Sequence, residues 1–347
     1  MELTIRINEI AFGGSGVGKA DGKVIFVPFT VDGELAKVRI TESHKSFSVA
    51  SVQAILQASP CRDTPPCPYY QTCGGCDYQH IQYAHQLELK RLQVEQALRR
   101  IGKLPEIIVP PVISGSKSYG FRNRITIHSD GRAIGFFRKR SRRIVDIARC
   151  ALASDTVNAE LAGLRRRGMA AGSHATVRED AAITTFTQTN DEVARKIVDY
   201  IQARAQGPVL VDAYCGSGFF AHRLASGFEI VIGIEWNQLA CDLATRSALA
   251  HEKYYCGDVA ELLPLVLQKN RVSTLLLDPP AEGLTKAVCA AIGEYPPGTV
   301  IYVSCNPATF ARDLSRLGSR FSLSEVQPFD MFPQTAEIEL AAFLKAK

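Results

Sequence analysis

The second half of the chain alternates apolar runs of strand length with stretches of helical spacing, and this alternation constrains the fold more than any other feature. From about Gly207, the apolar runs lie at 208–213, 229–234, 273–277 and 299–303. The helical patterns lie at 219–226, 237–250, 281–293 and 307–317. Such alternation is typical of βαβ units and predicts an α/β fold with a doubly wound, mostly parallel sheet. Segments beginning at Phe321 and Glu337 predict a closing antiparallel pair.

The first stretch of the chain, to about Ser59, alternates apolar and polar residues between glycine-rich turns. Strand patterns begin at Leu3, Lys23, Leu35 and Ser48. Short strands at this spacing predict a small β-barrel.

A glycine cluster in this stretch, Gly13 to Gly18 followed by Lys19, nearly matches a phosphate-binding loop. That loop requires Ser or Thr after the lysine to hold magnesium, and a helix behind it. Here Ala20 follows, and the next residues predict a turn and a strand. We therefore interpret the cluster as a turn of the barrel.

Three segments separate the barrel from the βαβ region. Residues 59–80 form a Cys- and Pro-rich loop without periodicity, and residues 83–101 have the spacing of an amphipathic helix. Short strands with many basic residues then run from Tyr119 to Ile147. We therefore expect a barrel, a central α+β region and a catalytic domain, at 1–58, 59–184 and 185–347. The helix is a candidate to pack on the third of these.

The first strand of the βαβ region runs into a glycine-rich turn and then a helix, where backbone amides can approach a ligand. Acidic residues follow the first three strands, and Glu235, which ends the second, can accept from ribose hydroxyls. The candidate cofactor residues in this pattern are Asp212, Gly216, Gly218, Glu235 and Asp258. The layout is that of S-adenosylmethionine (SAM) methyltransferases. A nicotinamide dinucleotide site would prefer a full G-x-G-x-x-G, which Ala221 matches only loosely.

Two further strand ends carry reactive groups. Asp278-Pro-Pro280 puts a carboxylate at the carboxyl edge of the sheet, and Cys305 follows the neighbouring strand. A single cysteine is most often a small buried hydrophobe. Cys305 differs because ligands in open α/β sheets bind at such strand ends. A helix beginning after Pro307 would also help to activate its thiol.

The chain has 10 cysteines, but neither a secretory signal nor an apolar run that could span a bilayer is visible. We therefore expect a cytoplasmic protein in which clustered thiols bind metal rather than form disulfides. Cys67, Cys73 and Cys76 share one loop, Cys150 is a candidate fourth ligand, and Cys61 lies outside the motif. The spacing alone leaves an iron–sulfur cluster and a structural zinc ion equally open.

The net charge of +5 indicates nucleic-acid binding only weakly, but its distribution is uneven. Basic residues interleave with aromatic ones in the central region, which suits phosphate contacts and stacking on unpaired bases. The candidate RNA-binding residues are Arg122, Arg124, Arg138, Lys139 and Arg140. The basic run at 165–167 is equally typical of a solvated helix face.

Five short motifs make the chain resemble the RNA uracil-5 methyltransferases of the TrmA/RumA type over essentially its whole length. They are Phe186-Thr-Gln188-Thr-Asn190, Asp212-Ala-Tyr214-Cys-Gly216-Ser-Gly218, Asp278-Pro-Pro280, Ser304-Cys-Asn-Pro307 and Asp330-Met-Phe-Pro-Gln-Thr335. The N-terminal barrel is similar to a TRAM domain, an OB-like RNA-binding module. The resemblance implies a Rossmann-like SAM methyltransferase domain at the C-terminal end.

For the reaction, the resemblance implies that Cys305 attacks carbon 6 of a uracil and that carbon 5 takes the methyl group of SAM. Glu339 would then remove the carbon 5 proton, and Cys305 would leave by elimination. Residues that would contact SAM or the target base are Gln188, Tyr214, Glu235 and Asp278. The uridine must leave its stack, so a loop or a refolded hairpin is the expected substrate.

Two positions depart from the family pattern. The family usually has Arg directly after Asp-Pro-Pro, where this chain has Ala281, which puts substrate positioning in doubt. A His commonly stands two residues before the catalytic Glu, where this chain has Glu337. A second carboxylate there can alter the pKa of the base through like-charge repulsion.

The resemblance also favours a 4Fe–4S cluster over zinc, because members with this cysteine pattern bind one through the positions of Cys67, Cys73, Cys76 and Cys150. TRAM-bearing members with the motif mostly act on 23S rRNA, so we expect an rRNA substrate before tRNA, and a monomeric enzyme. A catalytically impaired RNA-binding protein is the alternative that Ala281 keeps open. The radical methylthiotransferases need Cys-x3-Cys-x2-Cys, which this chain does not contain.

Overall fold

The chain divides into two units in the computed structural model, which describes residues 1–180 and 188–347. Unit 1 comprises the described residues of Met1–Lys90, Ser116–Ile183 and Phe332–Glu337, and unit 2 those of Arg91–Gly115, Thr184–Met331 and Ile338–Lys347. The predicted boundary at 184/185 and the motif residue Phe186 lie outside the described residues. Across the described ranges, no helix has both the length and the apolar character needed to cross a bilayer.

Unit 1 begins with six strands that close into a barrel. They are β1 (Glu2–Arg6), β2 (Glu9–Ile10), β3 (Ser15–Ala20), β4 (Lys23–Pro28), β5 (Leu35–Ser43) and β6 (Phe47–Gln57), hydrogen-bonded in the order β1-β5-β6-β4-β3-β2. The sheet curls so that β3 lies against β1. The evidence is that a Cβ added at Gly18 would come 2.7 Å from the carbonyl oxygen of Arg6. Inward side chains such as Ile5 and Val27 are at most 3% exposed. The predicted β-barrel is therefore confirmed.

The glycine cluster lies in a turn of the barrel, as we predicted. Gly13 and Gly14 form the turn between β2 and β3 with φ of +93° and +86°, a region that favours glycine. A strand follows them rather than a helix. The near-match to a phosphate-binding loop is a hairpin turn.

One helix, α1 (Tyr83–Arg100), begins in unit 1 and ends in unit 2. Leu89 belongs to the barrel core, whereas Val94 and Leu98 are fully buried in the core of unit 2. The helix predicted over 83–101 is therefore confirmed.

The rest of unit 1 is a four-stranded antiparallel sheet covered by one helix. The elements are β7 (Arg124–Ser129), β8 (Ile134–Phe137), β9 (Ile144–Asp146), α2 (Asp155–Arg167) and β10 (His174–Arg178), and the strand order is β10-β7-β8-β9. Val157 and Leu161 of α2 pack against Ile125 and Ile127 of β7. The intervening side chains of the sheet face away from this core.

A short segment between two late strands also belongs to unit 1. Within Phe332–Glu337, the carbonyl of Gln334 accepts from the amides of Asp77 at 3.1 Å and Tyr78 at 3.0 Å. The side-chain amide of Gln86 donates to Gln334 Oε1 at 2.9 Å. These bonds give a structural role to the motif that ends at Thr335.

Unit 2 is a doubly wound α/β sheet. Its elements are α3 (Asp191–Gln202), β11 (Val209–Ala213), α4 (Phe219–Leu224), β12 (Ile230–Glu235), α5 (Gln238–Arg246), β13 (Glu252–Cys256), α6 (Val259–Lys269), β14 (Thr274–Leu277), α7 (Lys286–Glu294), β15 (Thr299–Ser304), α8 (Pro307–Leu317), β16 (Phe321–Phe329) and β17 (Glu339–Ala346). The strand order is β13-β12-β11-β14-β15-β17-β16. All pairs from β13 to β15 are parallel, and β17 runs antiparallel to both its neighbours. The predicted parallel sheet and its closing antiparallel pair are confirmed.

Three helices of unit 2 differ most from the sequence prediction. The helix predicted from 281 begins only at Lys286, because Pro280 and Gly283, with φ of +74°, hold the preceding residues in a turn. Thr285 then caps the helix by accepting from the amide of Val288. Helices α3 and α6 were not predicted, and Pro264 inside α6 interrupts its helical pattern.

A buried histidine should make folding sensitive to acid. His80 is 1% exposed and contacts the Thr30 carbonyl and the Tyr70 hydroxyl through its two ring nitrogens. Burial lowers its pKa from 6.5 to about 4. The unfolded chain therefore takes up this proton at a higher pH than the folded one, so stability is lost as pH falls from 6.5 towards 4. We expect His80 to account for a loss of about 2 kcal/mol between pH 7 and pH 5, measured by urea unfolding.

His85 provides the contrasting variant. Its hydrogen bond to Asp32 at 2.7 Å raises its pKa, so its contribution is present at low pH and is lost as pH rises. His80→Gln should flatten the loss of stability on acidification, whereas His85→Gln should steepen it. Equal pH slopes for His80→Gln and the unaltered chain would contradict the assignment.

Candidate active site

The turn after β11 is the most constrained backbone in unit 2. Tyr214, Gly216 and Gly218 all have positive φ, of +67°, +54° and +84°. For a tyrosine this conformation costs about 1 kcal/mol. It is held by the carbonyl of Ile234, which accepts from the amide of Tyr214 at 2.9 Å. The turn runs into α4, so its amides lie at a helix N-terminus, as the sequence predicted.

Two carboxylates hold this turn from neighbouring strands. Asp212 in β11 accepts from the amide of Ala221 in α4 at 2.9 Å. Glu235, the last residue of β12, accepts from the amides of Gly216 at 3.0 Å and Asn237 at 2.8 Å. The predicted pairing of the glycine turn with an acidic residue at the end of the second strand is therefore present.

The carboxylates also repel one another in a buried setting. Burial, with the nearby charge of Asp278, raises the pKa of Asp212 well above its usual range. Burial raises the pKa of Asp278, which follows β14, to about 7. A cation bound beside these groups would relieve the repulsion, because opposite charge favours the ionised form.

Several buried polar atoms near these motifs have no hydrogen-bond partner among the described residues. They are Asp212 Oδ1, Thr189 Oγ1 and Asn190 Nδ2. Gln188, beside them in the chain, is half-buried. Buried polar atoms are rarely left unsatisfied, so acceptors and donors of this kind fit a polar ligand. The donor set suits SAM, with carboxylates for its cationic and hydroxyl groups and turn amides for its polar ends.

Asp258 completes the acidic series at the same edge of the sheet. It caps α6 by accepting from the amide of Ala260 at 2.7 Å, and its side chain is exposed. The amide of Gly257 donates to the carbonyl of Glu235 at 2.9 Å, which ties the ends of β12 and β13 together. Burial, followed by the charge of Asp258, raises the pKa of Tyr214 to about 12.

Cys305 follows β15 directly and precedes α8. Asn306 caps that helix by accepting from the amides of Ala308 and Thr309, so the thiol stands beside a helix N-terminus, as predicted. In the antiparallel pairing of β15 with β17, Ser304 lies opposite Leu340. Cys305 follows Ser304 and Glu339 precedes Leu340, so each lies one residue beyond this last pair, at the same end of the two strands. Glu339 is 7% exposed.

The loop that carries Ala281 is fastened to the start of α8 without the arginine that the family usually has there. The carbonyl of Ala281 accepts from Asn306 Nδ2 at 3.3 Å and Thr309 Oγ1 at 3.0 Å. Arg312 donates to the carbonyl of Glu282 at 2.6 Å. Glu337, the second departure, is exposed, whereas Glu339 is buried. The backbone after Asp-Pro-Pro is thus positioned by α8.

A polar cluster on α4 and β13, next to the glycine turn, was not predicted from the sequence. His222 Nδ1 lies 2.5 Å from Glu252 Oε2, and the Tyr254 hydroxyl donates to the same oxygen at 2.9 Å. A Cβ at Gly218 would come 2.5 Å from His222 Nε2, and one at Gly233 would come 2.3 Å from the Tyr254 ring. These glycines are therefore required for packing. Isolated polar residues on α4 and β13 carried no signal in the sequence.

The four cysteines of the predicted cluster come together in unit 1. Cys67, Cys73, Cys76 and Cys150 all line one cavity, together with Tyr70 and Arg122. Burial raises the pKa of Cys76 to about 12. None of the chain's cysteines, all of which are described, is in a disulfide. Among the described residues, however, no three His, Cys, Asp or Glu side chains are arranged so that they could hold a metal ion.

The predicted RNA-binding residues separate into three places. Arg138, Lys139 and Arg140 are exposed at the tip between β8 and β9. Lys139 forms an ion pair with Asp77 of the cysteine loop. Arg124 lies on β7, on the face turned away from α2. Arg122 instead lines the cysteine cavity, and its Nε is buried without a hydrogen-bond partner among the described residues.

Comparison with known proteins agrees with this arrangement. The tRNA (uracil-5-)-methyltransferase family matches residues 249–347, and the TRAM domain family matches residues 1–52. An uncharacterised RNA methyltransferase of Parasynechococcus marenigrum is 30% identical over 99% of this chain and 96% of its own length. The tRNA (uracil(54)-C(5))-methyltransferase of Schizosaccharomyces pombe is 28% identical over 97% of this chain and 77% of its own.

A solved structure shares the fold. The tRNA (uracil-54, C5)-methyltransferase of Pyrococcus abyssi, crystallised with S-adenosyl-L-homocysteine, superposes with a TM-score of 0.75 over 99% of this chain and all of its own, at 24% identity. Three findings agree: family models match both ends of the chain, one relative matches over its full length, and a solved structure shares the fold. The chain belongs to the TrmA/RumA-type family of SAM-dependent RNA (uracil-5) methyltransferases.

Proposed function

We propose that this enzyme methylates carbon 5 of a specific uridine in structured RNA through a covalent bond between Cys305 and carbon 6. The observation that carries the proposal is the register of β15 and β17, in which Ser304 pairs with Leu340. The proposed nucleophile, one residue after Ser304, and a buried carboxylate, one residue before Leu340, therefore lie at the same end of this strand pair, at the edge where the acidic strand ends converge. A thiol attack followed by removal of a proton requires this pair of groups.

The proposed steps follow from the chemistry of uracil. The Cys305 thiolate adds to carbon 6, and the electron pair of the carbon 5–carbon 6 double bond moves to form an enolate. Carbon 5, now nucleophilic, forms a bond to the methyl carbon, and S-adenosylhomocysteine is left. The Glu339 carboxylate takes the proton from carbon 5. The double bond re-forms and expels the Cys305 thiolate.

The residues proposed to hold SAM lie along the carboxyl edge of the sheet and in the segment before α3. They are Gln188, Asp212, Tyr214, Gly216, Gly218, Glu235, Asp258 and Asp278. SAM bound there supplies an electrophilic methyl group on a sulfonium centre. Glu235 is the residue whose contacts constrain the site most, because it binds the turn through Gly216 and its own strand end through Asn237.

We propose 23S rRNA as the substrate, on the combination of a TRAM domain with the four-cysteine motif. A tRNA substrate is the second candidate, favoured by the similarity to the Schizosaccharomyces pombe enzyme, whose name specifies uridine 54 of tRNA. Both RNAs present uridines in loops, from which a base can be taken without breaking a long helix.

We propose further that Cys67, Cys73, Cys76 and Cys150 hold a 4Fe–4S cluster. Their convergence on one cavity supports this assignment. Four thiolates suit zinc as well as a cluster, and it is the Cys-x5-Cys-Gly-Gly-Cys pattern, which resembles that of cluster-binding family members, that favours the cluster. Bound there, it would cross-link the cysteine loop to Cys150.

Removing one acceptor from Glu235 should weaken SAM binding. In Glu235→Gln, an amide NH₂ must face the amide of Gly216 or of Asn237, so one hydrogen bond is lost and the turn loosens. Since hydrogen bonds to charged groups contribute about 1.5–3 kcal/mol, we expect the Kd for SAM to rise about tenfold to hundredfold. Isothermal titration calorimetry measures this. Glu229→Gln, at an exposed carboxylate just before the same strand, should leave the Kd unchanged; an unchanged Kd in Glu235→Gln would refute the assignment.

Trapping with 5-fluorouridine tests the covalent mechanism. RNA carrying this base should form a stable adduct in the presence of SAM, because fluorine at carbon 5 cannot be removed as a proton. The adduct should be seen as a gel shift that resists denaturant, and mass spectrometry should map it to Cys305. Cys305→Ala should form none, while Cys61→Ser, at another partly buried cysteine, should form it normally. Glu339→Gln should accumulate adduct even on ordinary uridine RNA.

The same assay decides between the two substrates when run on 23S rRNA fragments and on tRNA transcripts. Adduct and methyl incorporation confined to tRNA would overturn the rRNA assignment but leave the mechanism intact. Methylation by Cys305→Ala, or an active enzyme that gives no adduct, would overturn the mechanism.

Metal analysis tests the cluster. Protein purified without oxygen should contain about four iron and four sulfide per chain and absorb in the visible range. Cys76→Ser should lose most of this iron, because one thiolate ligand is removed, and Cys61→Ser should retain it. Stoichiometric zinc without iron, sulfide or visible absorbance would contradict the proposal.

A further inference from the structure

Stacked rings stand on the outer face of the four-stranded sheet in unit 1, and no part of the proposed chemistry uses them. Along β7, Ile125 and Ile127 point into the core, so His128 points outward. The ring of Phe137 in β8 stacks on His128 with centroids 4.1 Å apart and planes 28° apart. His174 lies opposite His128 in β10, with centroids 6.0 Å apart. We call His128, Phe137 and His174 the ring platform.

The platform is exposed although the core of this region is complete without it. Phe137 is 38% exposed, and His174 also faces solvent. The hydrophobic core lies on the opposite face, against α2. Exposed aromatic groups that are packed against each other present a rigid flat surface, which stacking ligands such as nucleobases require.

The charges around the platform favour an anion. At one end of the face, Arg124 pairs in register with Arg178. At the other end, Arg138 follows Phe137 and is exposed. Asp146 of β9 accepts from the two terminal nitrogens of the Arg165 guanidinium at 2.7 and 2.9 Å, so its charge is already paired. Rings flanked by arginines match an unpaired nucleotide strand, with bases on the rings and phosphates on the cations.

We propose that the ring platform binds unpaired bases of the RNA substrate by stacking, and that the flanking arginines hold the phosphates of the same segment. The inference rests on the proposed function and adds a recognition surface to it. The strand that carries Phe137 is fixed by the cysteine loop, because the amide of Gly74 donates to the Phe137 carbonyl at 3.0 Å and Cys73 bridges to Arg138. The ring is therefore held rigidly enough to contribute affinity.

The test compares two replacements of Phe137 in the full chain. Binding is measured by the fluorescence of a single-stranded RNA that contains 2-aminopurine, which is quenched when the base stacks. Phe137→Leu keeps an apolar side chain but removes the ring, and should weaken binding about tenfold and reduce quenching. Phe137→Trp keeps a ring and should bind as the unaltered protein does. Thermal unfolding of both variants should match, since Phe137 lies outside the core.

Salt dependence separates stacking from charge. The loss in Phe137→Leu should be the same at low and high salt, whereas Arg138→Gln should lower the slope of log affinity against log salt by about one. A control outside both RNA-binding regions exists in unit 2, where Leu265 of α6 is an exposed apolar residue. Leu265→Ala should leave RNA affinity unchanged.

The results distinguish this proposal from the proposed function. Phe137→Leu should raise the KM for RNA and leave kcat unchanged at saturating RNA. Unchanged affinity in Phe137→Leu, equal loss in Phe137→Trp, or equal loss in Leu265→Ala would each overturn the platform. Normal RNA binding by Phe137→Leu would instead indicate that this surface binds a protein partner. Absence of methylation by the unaltered enzyme would refute the proposed function, while the fluorescence assay would still decide on the platform.

Discussion

The candidate site depends above all on the parallel pairing of β11 with β12 on one side and with β14 on the other. Because parallel strands end at the same edge, this pairing brings Asp212, Glu235 and Asp278 together. Burial raises the pKa of both Asp212 and Asp278, and the nearby charges of Asp278 and Glu235 raise that of Asp212 further. Amides of Ala221, Gly216 and Asn237 offset part of that cost. Strand order thus gathers acidic side chains, one of them with an unsatisfied oxygen, at the point where the order reverses.

The antiparallel direction of β17 places its first residue at the active edge of the sheet, which a parallel strand could not do. A parallel strand brings its last residue to the active edge and then leaves through a loop. An antiparallel strand begins at that edge, so its first residue, Glu339, stands there on a rigid element. Cys305, just after the last residue of β15, lies at the same end of this antiparallel pair. The proposed nucleophile and base therefore come from two hydrogen-bonded neighbours, which fixes their relation more firmly than two loops would.

The local sequence pattern was sufficient to predict features that depend on residues close together in the chain. Strand ends carrying Asp212, Glu235 and Cys305 could be predicted because each follows a short apolar run, and the turn at Gly13 because a strand follows it. Contacts between distant residues left no such signal. The His222–Glu252 contact spans 30 residues, the fastening of Ala281 by Thr309 spans 28, and Arg122 faces a cavity rather than solvent. Each depends on tertiary packing, which overrides local character.

The sequence of the loop at 59–80 does not show what stabilises the loop, because it has neither helical nor strand periodicity. Its apolar anchors are few, with Tyr78 fully buried in the barrel core, so hydrogen bonds and cross-links contribute to holding the rest. Those hydrogen bonds run to the strand that carries Phe137 and Arg138, and Lys139 pairs with Asp77. If the four cysteines bind a cluster, its cross-link to Cys150 closes the same structure from the other side. The cysteine loop and the basic tip would then be held rigidly together. A cluster bound there would influence RNA binding by stabilising this structure, without any redox reaction.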